Sequence, residues 1–451
     1  MTVRGRSFSV VGMGRSGISA ANALCRRGGQ VVLSDGQDTK GLREAVANLH
    51  PGIETVLGGE VIRPGDTVVL SPGIPPAAPV FQEAHREGGE VIGEVELFHR
   101  LFLGRTVAVT GTDGKSTVTT LTAHLLRRLG HTAHAAGNLG NPLCDLLDSV
   151  APDHVVVAEV SCFQLISTSW FHPLVALVTN LAEDHIEYHG SFDAYLRAKS
   201  LVAANQGAGD WFVRNRDDPL LSSWATPGHD LCPHRGQNVL EVSRRGPVEN
   251  GAWFHGGSLY LAHSGVSRKV CDRKDISLPG GHNTENALLA LAACFPFEPD
   301  TGALAEGLAS YRGLPHRIEF LRELDGVRIY NDSKATNPHA AITALRAFDE
   351  PVVLIAGGHE KGLSFEDLAH EVDRGCRHVI LVGETAERMS REFPDTLALE
   401  VVDDHETALR QALKAAAPAG VVLFSPAASS FDRFASYEER GDRFRRMVMA
   451  L

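Results

Sequence analysis

The chain is poor in cysteine and shows no pairing pattern in what it has. Its seven cysteines are scattered, with no Cys-x-x-Cys. That indicates neither a zinc site nor a disulfide frame, and it suits a reducing, cytoplasmic setting. No apolar run approaches the roughly 20 residues needed to span a bilayer, and the N-terminal segment lacks a secretory h-region. A membrane is therefore not an expected partner. An excess of basic residues is also missing: 43 Lys and Arg against 55 Asp and Glu leave a net charge of −12. A general nucleic-acid binder needs clustered cations to meet phosphates, so nucleic acid is not expected either. The acidity reads as solubility, and local dipoles or single cations can still receive small anions. The chain shows no internal repeat and no low-complexity tail.

Two glycine-rich loops stand out against this plain background. Gly12-Met-Gly14-Arg-Ser-Gly17 follows the apolar run Phe8–Val11. Gly111-Thr-Asp-Gly114-Lys115-Ser116-Thr117 follows Val107–Thr110. Each strand-like run feeds a glycine turn and a helix-like segment, which presents backbone N–H groups and a positive dipole end to an anion. Only the second loop pairs Lys with Ser, as needed to handle a transferable phosphate and its Mg²⁺. Two phosphate-bearing ligands are expected, with chemistry on one.

At 451 residues the chain is too long for one core. Residues 1–93 alternate strand signals (Phe8–Val11, Gln30–Ser34, Thr67–Ser71, Glu90–Ile92) with helix signals (Ser16–Arg27, Val80–Glu87), which predicts a small doubly wound α/β unit. The pattern restarts with a helix at Glu94–Leu103 and the strand into the second loop. Residues 94–313 are expected to form a central P-loop α/β domain. Its stretch from about 210 to 278 reads as a β-rich appendage with a hairpin around Ala252–Leu261. Helices are expected at Thr284–Cys294 and Ala303–Ala309, before a linker at Leu314-Pro315. Residues 314–451 predict a third, Rossmann-like α/β domain with strands at Arg328–Tyr330, Val352–Ala356, His378–Val382 and Val421–Phe424.

Taken alone, the first loop with Asp35 closing the next strand is the dinucleotide fingerprint, and its direct reading is NAD(P). A tight turn that packs a helix on a sheet is the bland alternative. Ser71-Pro72-Gly73 ends another strand of the same unit and could share its ligand. The second loop departs from the strict eight-residue phosphate loop, because Val109 occupies the place of its first Gly. Its physics survives: Lys115 can reach β- and γ-phosphates, and Ser116 can ligate Mg²⁺. Asp113 beside this cradle is an awkward charge. Glu159 and His185 follow the strand-like runs Val155–Val157 and Val175–Thr179, and in a parallel sheet they would flank the loop as Mg²⁺-site groups. Three further polar turns follow strands in the last unit, Asn331–Asn337, Gly357–Gly362 and Ser425–Phe431. Together they look like a site for an anionic amino acid or phosphate, although any one of them is ordinary turn chemistry.

These motifs, in this order, resemble the Mur ligase family across essentially the whole chain. The resemblance is carried by residues 111–117, Glu159 through Gln164, Asn180 through His185 with His189, His282 through Asn286, Gly313 through Arg317, Asn331–Asn337 and Ser425 through Gly441. The last two point to the D-glutamate-adding branch. The resemblance replaces the NAD(P) reading: Gly14, Arg15, Ser16, Asp35, Ser71 and Gly73 would surround the UDP part of a substrate, and Asn138 would contact it near the reacting carboxylate. ATP would be held by Gly111, Thr112, Gly114, Lys115, Ser116 and Thr117. Asn283 and Asn286 would lie on the adenine side, with Arg317 on the phosphates and Asp332 on the ribose. Ser116 and Glu159 would ligate one Mg²⁺ and His185 a second, with Lys199 present as a carbamate that serves as an oxygen ligand. Lys334, Thr336, Lys361, Ser430 and Phe431 would hold D-glutamate. Three departures are plain: Asp113 stands where Asn is commoner, Tyr437 where Phe is usual, and one residue fewer separates His185 from Lys199 than in some relatives.

The activity implied is an ATP-dependent ligase of cytoplasmic peptidoglycan precursor synthesis, working as a monomer. The alanine carboxylate of UDP-N-acetylmuramoyl-L-alanine would take the γ-phosphate of ATP to give an acyl phosphate, and the amine of D-glutamate would displace phosphate. Lys115, Ser116, Glu159, His185 and Lys199 form the expected catalytic set. No residue stands out as the base for the amine. Other readings stay open at this point: an L-glutamate-adding relative, a folate polyglutamylating enzyme, an NAD(P)-dependent oxidoreductase and a non-catalytic nucleotide-binding regulator.

Overall fold

The computed structural model describes residues 1–224, 236–394 and 396–451; residues 225–235, inside the expected β-rich stretch, lie outside the described residues. The chain divides into two compact units. The first comprises Met1–Arg273 with Glu285–Gly307, and the second Lys274–Thr284 with Leu308–Leu451. Among the described residues no helix is long and apolar enough to cross a membrane.

The first unit holds two sheets. Five parallel strands, β1 (Ser7–Val11), β2 (Gln30–Asp35), β3 (Ile53–Leu57), β4 (Thr67–Leu70) and β5 (Glu90–Gly93), run in the order β3-β2-β1-β4-β5. The order reverses about β1, so the first glycine loop leaves at the switch point, where open α/β sheets bind ligands. The second sheet has nine strands. β6 (Arg105–Thr110), β7 (Ala133–Gly137), β8 (Val155–Glu159), β9 (Val175–Val178), β10 (Trp211–Asn215) and β11 (Asn238–Ser243) are parallel. β12 (Gly251–His255) continues alongside β11, and β13 (Ser258–His263) and β14 (Val266–Asp272) close the edge antiparallel. The order is β14-β13-β12-β11-β10-β9-β6-β8-β7. The β-rich stretch is therefore continuous with the central sheet.

The helix Glu94–Leu101 joins the two sheets. Val95, Leu97 and Phe98 belong to one apolar core together with Phe8 of the first sheet, Leu24 of the helix Arg15–Arg26, and Ala108 and Val156 of the second sheet. Burying this helix also buries two carboxylates, and Glu96 is fully enclosed. Its oxygens accept N–H bonds from Ser169, Trp170 and Phe171 at 2.9–3.1 Å and from Arg100 Nε at 2.7 Å. Arg100 also holds Glu90 at the end of the first sheet. A buried charge is tolerable only when paired and hydrogen-bonded in this way.

The second unit has one sheet. β15 (Glu319–Leu324) pairs antiparallel with β16 (Val327–Asn331). β17 (Val352–Ala356), β18 (Cys376–Val382), β19 (Leu399–Val402) and β20 (Gly420–Phe424) complete the order β15-β16-β20-β17-β18-β19. The central strands β17 and β20 are apolar because both of their faces are covered. One face carries a core with Ala341, Leu345, Leu368 and Met389, the other a core with Leu409, Ala412, Phe444 and Val448. Glu96→Ala should lower the first unit's melting temperature, with a loss on the order of 3 kcal/mol, because it leaves three buried N–H groups and the Arg100 Nε without an acceptor while Arg100 keeps Glu90. Calorimetry would measure this, and the second unit's transition should stay in place.

Candidate active site

The second glycine loop leaves β6 between β8 and β9, so the groups at the ends of all three strands meet it. Gly114 is the N-cap of the helix Lys115–Arg128 and sits at φ 78°. A Cβ there would come within 2.4 Å of Asn286 Oδ1, so the helix Gly281–Ala293 closes directly on the loop through Asn286. The loop is tied to the end of β9: Asn180 Oδ1 accepts the Asp113 N–H at 2.9 Å, and Thr179 Oγ1 donates to the Asp113 carbonyl at 2.6 Å. Asp113 itself is exposed. Its backbone is what the loop uses, and its carboxylate faces water, where its charge is screened. Lys115 Nζ donates to the Thr112 carbonyl at 2.6 Å.

Glu159 ends β8 and is 2 % exposed. Asn138 Nδ2 donates to its Oε1 at 2.9 Å, while Oε2 is buried without a hydrogen-bond partner. A buried carboxylate oxygen with no donor calls for a cation or a ligand proton. Lys199 is equally enclosed. Its Nζ donates to the Gly111 carbonyl at 2.5 Å and lies 4.5 Å from the Tyr195 ring centroid. Burial, with Lys115 nearby, lowers its pKa to about 8, so a useful share of the amine is neutral and nucleophilic near neutral pH. His185 is half-exposed at φ 52°, with Asp184 Oδ2 3.3 Å from Nε2 and the Phe163 ring 4.7 Å away. His189 stacks on Phe163, and burial holds its pKa down. Among the described residues no group of three or more His, Cys, Asp or Glu side chains converges. Any metal here would rest on a few protein groups with ligand oxygens completing its shell.

The first glycine loop faces a cleft of about 290 Å³. Gly14, Arg15, Ser16, Ser71, Gly73 and Asn138 all line it. Gly17 packs the helix Arg15–Arg26 so tightly that a Cβ would fall 1.9 Å from the Gly12 carbonyl oxygen. Asp35 is not in this wall: its Oδ2 accepts the Met13 N–H at 2.8 Å and its Oδ1 the Gln37 N–H at 2.9 Å, so it fixes the turn. Gln164, unassigned from the sequence, joins the lining. Arg15 Nη1 reaches the Gly140 carbonyl, and the Tyr188 hydroxyl lies 3.0–3.1 Å from the carbonyls of Pro72 and Ile74. The two sheets' loops thus share one boundary, and Asn138 lines the cleft while holding Glu159.

A larger cleft of about 710 Å³ opens beside Asn180. Asn215, Asp217 and Asp218 at the end of β10, with Arg244, Arg245 and Glu285, form its walls. Sequence reasoning missed it because β10 and β11 were not read as strands; the Asn-Arg-Asp-Asp turn after Trp211–Val213 was the available signal.

In the second unit, Lys334 and Thr336 follow β16, Lys361 follows β17, and Ser430 and Phe431 follow β20, all at one edge of three adjacent strands. Arg440 binds these turns together. Its fork is buried and donates to Ser333 Oγ and the carbonyls of Ser333, Ala428 and Ser429 at 2.9–3.0 Å. The His359 N–H bonds the Ser429 carbonyl at 2.8 Å. Lys334 Nζ lies 5.9 Å from the Tyr437 ring centroid, so a Tyr there still offers an aromatic face. Ser430 is buried and Phe431 exposed. Asp332 is buried, with Oδ1 accepting the Ile318 N–H and Oδ2 the Ser425 hydroxyl, and burial raises its pKa to about 7. Arg317 sits in the turn that Asp332 fixes. Asn283 Nδ2 donates to the Pro279 carbonyl at 2.6 Å.

Comparison with known proteins agrees with this geometry. Family models described as Mur ligase MurD-like, N-terminal domain, Mur ligase middle domain, and Mur ligase, glutamate ligase domain match residues 6–93, 109–294 and 316–428. The chain belongs to the Mur ligase family. Relatives named UDP-N-acetylmuramoylalanine--D-glutamate ligase include one from Pelotomaculum thermopropionicum, 39% identical over 98% of this chain and 97% of the relative. Another, from Salinibacter ruber, is 39% identical over 100% of this chain and 99% of its own. Among solved structures, UDP-N-acetylmuramate-alanine ligase MurC from Thermotoga maritima aligns with a TM-score of 0.57 at 19% identity over 99% of both chains. MurF ligase from the same organism, in complex with ADP, aligns with a TM-score of 0.55 at 18% identity over 99% of this chain and 96% of that one. These two likenesses concern the fold.

Gly114→Ala should weaken nucleotide binding by about tenfold or more, since the new methyl collides with Asn286 and the loop must leave its left-handed turn. Titration with a fluorescent ATP analogue would show the loss.

Proposed function

We infer that the chain joins D-glutamate to UDP-N-acetylmuramoyl-L-alanine at the expense of ATP, releasing ADP and phosphate, as an acid–D-amino-acid ligase of peptidoglycan precursor synthesis. The full-length relatives bear that name, and one observation in the structure supports the reading above others. The Asn138–Glu159 hydrogen bond joins the cleft under the first glycine loop to the rim of the phosphate loop. A sugar nucleotide in that cleft would extend its far end, the alanine carboxylate, toward the γ-phosphate.

On this reading residues 1–93 hold UDP, residues 94–313 hold ATP, and residues 314–451 hold glutamate. Gly14, Arg15, Ser16, Ser71 and Gly73 receive the uridine diphosphate, with Asp35 fixing the turn they sit on. The loop amides of 111–117 and Lys115 neutralise charge on the transferring phosphoryl group as the carboxylate attacks. Asn283, Asn286, Arg317 and Asp332 are assigned to the rest of ATP. Ser116 and Glu159 are assigned to one Mg²⁺ ion, and His185 with a carbamylated Lys199 to a second. The unpartnered Glu159 Oε2 supports that fit, as does a buried amine partly neutral enough to add to CO₂ with loss of a proton. Bound by these residues, Mg²⁺ would supply charge neutralisation to the transferring phosphoryl group. Lys334 and Lys361 anchor the two carboxylates of glutamate, and Thr336, Ser430 and Phe431 shape its pocket. A cytoplasmic monomer is proposed, with UDP-N-acetylmuramoyl-L-alanine, D-glutamate and ATP as its ligands.

Phosphate release from ATP and Mg²⁺ with UDP-N-acetylmuramoyl-L-alanine tests the reading. Release should require D-glutamate and vanish in Lys115→Ala. Equal release with L-glutamate would overturn the stereochemistry, and release without the sugar nucleotide would overturn the substrate. A separate measurement addresses Lys199: ¹³C-bicarbonate should give a carbamate resonance in the native protein that Lys199→Ala lacks.

A further inference from the structure

The second unit has a cleft that none of these assignments uses. It measures about 510 Å³ and lies between the start of the helix His405–Ala416 and one face of the helix Tyr437–Met449. Four arginines line it: Arg410, Arg433, Arg443 and Arg446. Arg443 and Arg446 are three residues apart on one helix, hence neighbours on its surface, and neither makes an ion pair among the described residues. Arg410 pairs with Glu406 at 3.8 Å between two well-exposed side chains, and its charge also reaches Asp404. Arg433 spends one Nη1 on the Asp403 carbonyl at 2.5 Å.

Three carboxylates share this wall: Glu406 faces Arg410, and Asp404 and Glu439 also accept backbone N–H bonds. Asp404 caps the helix, its Oδ1 accepting the Thr407 N–H and its Oδ2 the Thr407 hydroxyl. Glu439 Oε2 accepts the Ala435 N–H at 2.8 Å. His405 forms part of the floor, is only 9 % exposed, and keeps its Nε2 without a hydrogen-bond partner. Burial together with Arg440, Arg433 and Arg443 holds that ring neutral. An arginine alone on a helix face is ordinarily just solvated. Here four arginines meet three carboxylates, Asp404, Glu406 and Glu439, in one concavity, so the lining keeps a net positive charge, and an anion that entered would lower the remaining repulsion between the arginines.

We propose that this cleft binds a small molecule carrying two or more linked phosphate groups, as a site distinct from both glycine loops. Linked phosphates match the spacing of several guanidinium forks, whereas one phosphate would engage only part of the set. The site is wired to the amino-acid edge of the same unit. The N–H groups of Arg433 and Phe434 bond the Ser430 carbonyl at 3.2 and 2.9 Å, and the helix that carries Arg443 and Arg446 also carries Arg440.

Isothermal titration of the full-length protein with inorganic tripolyphosphate tests the proposal independently of ligase activity. A Lys115→Ala background with excess UDP removes the other two phosphate loops from the measurement. One saturable site per chain is expected, with orthophosphate binding more weakly. Arg443→Gln/Arg446→Gln, which keeps the side-chain stems, should lower tripolyphosphate affinity by about tenfold or more. Arg443→Lys/Arg446→Lys should fall between, because charge remains and the forks are lost. No saturable binding in the background protein, or affinity unchanged by the Gln pair, would overturn the proposal. An unchanged circular dichroism melt for both pairs would exclude misfolding as the cause of a loss.

Discussion

Parallel pairing on both sides of β6 is the constraint on which the rest of the first unit depends. Because β8 and β9 run the same way as β6, their carboxyl ends deliver Glu159 and Asn180 to either flank of the phosphate loop without any long excursion of chain. The adjoining β7 does the same for Asn138. An antiparallel neighbour would have sent one of these groups to the opposite edge. The fixed direction of four strands therefore brings together residues from distant parts of the sequence, and the hydrogen bonds among them refine what topology has already placed.

Legibility followed the strength of the local signal. Buried parallel strands made of apolar runs, such as Val352–Ala356 and Val421–Phe424, could be read because nothing else gives such runs between glycine turns. β3, β15 and β19 were not read: Ile53–Leu57, Glu319–Leu324 and Leu399–Val402 lie at sheet edges or near them, mix polar and apolar residues, and are only partly buried. β7 was missed for another reason. Its Ala-His-Ala-Ala-Gly has no strand propensity of its own, and pairing with β8 makes it a strand.

The site divides in the same way. Groups with a motif around them, Lys115, Glu159 and Ser71 among them, could be placed from sequence order, since strand ends follow from strands. What a side chain bonds to could not. Asp35 has the position of a ribose-binding acid, yet its two oxygens hold the backbone of its own turn and of the first glycine loop. Asp332 closes on Ser425 and Ile318. Both carboxylates occupy the expected positions in the chain and act through backbone and hydroxyl partners that only the folded geometry discloses.

Arg440 has a consequence that belongs to the thermodynamics of ligand capture. One buried guanidinium holds the turns after β16 and β20, and a backbone bond from His359 ties in the turn after β17. The conformational entropy of these loops is thus lost when the unit folds and does not have to be lost again when a ligand arrives. Such a rim selects by shape. On the proposed assignment of glutamate to this edge, the choice between its two hands would be set by the interior of the unit and read out at its surface.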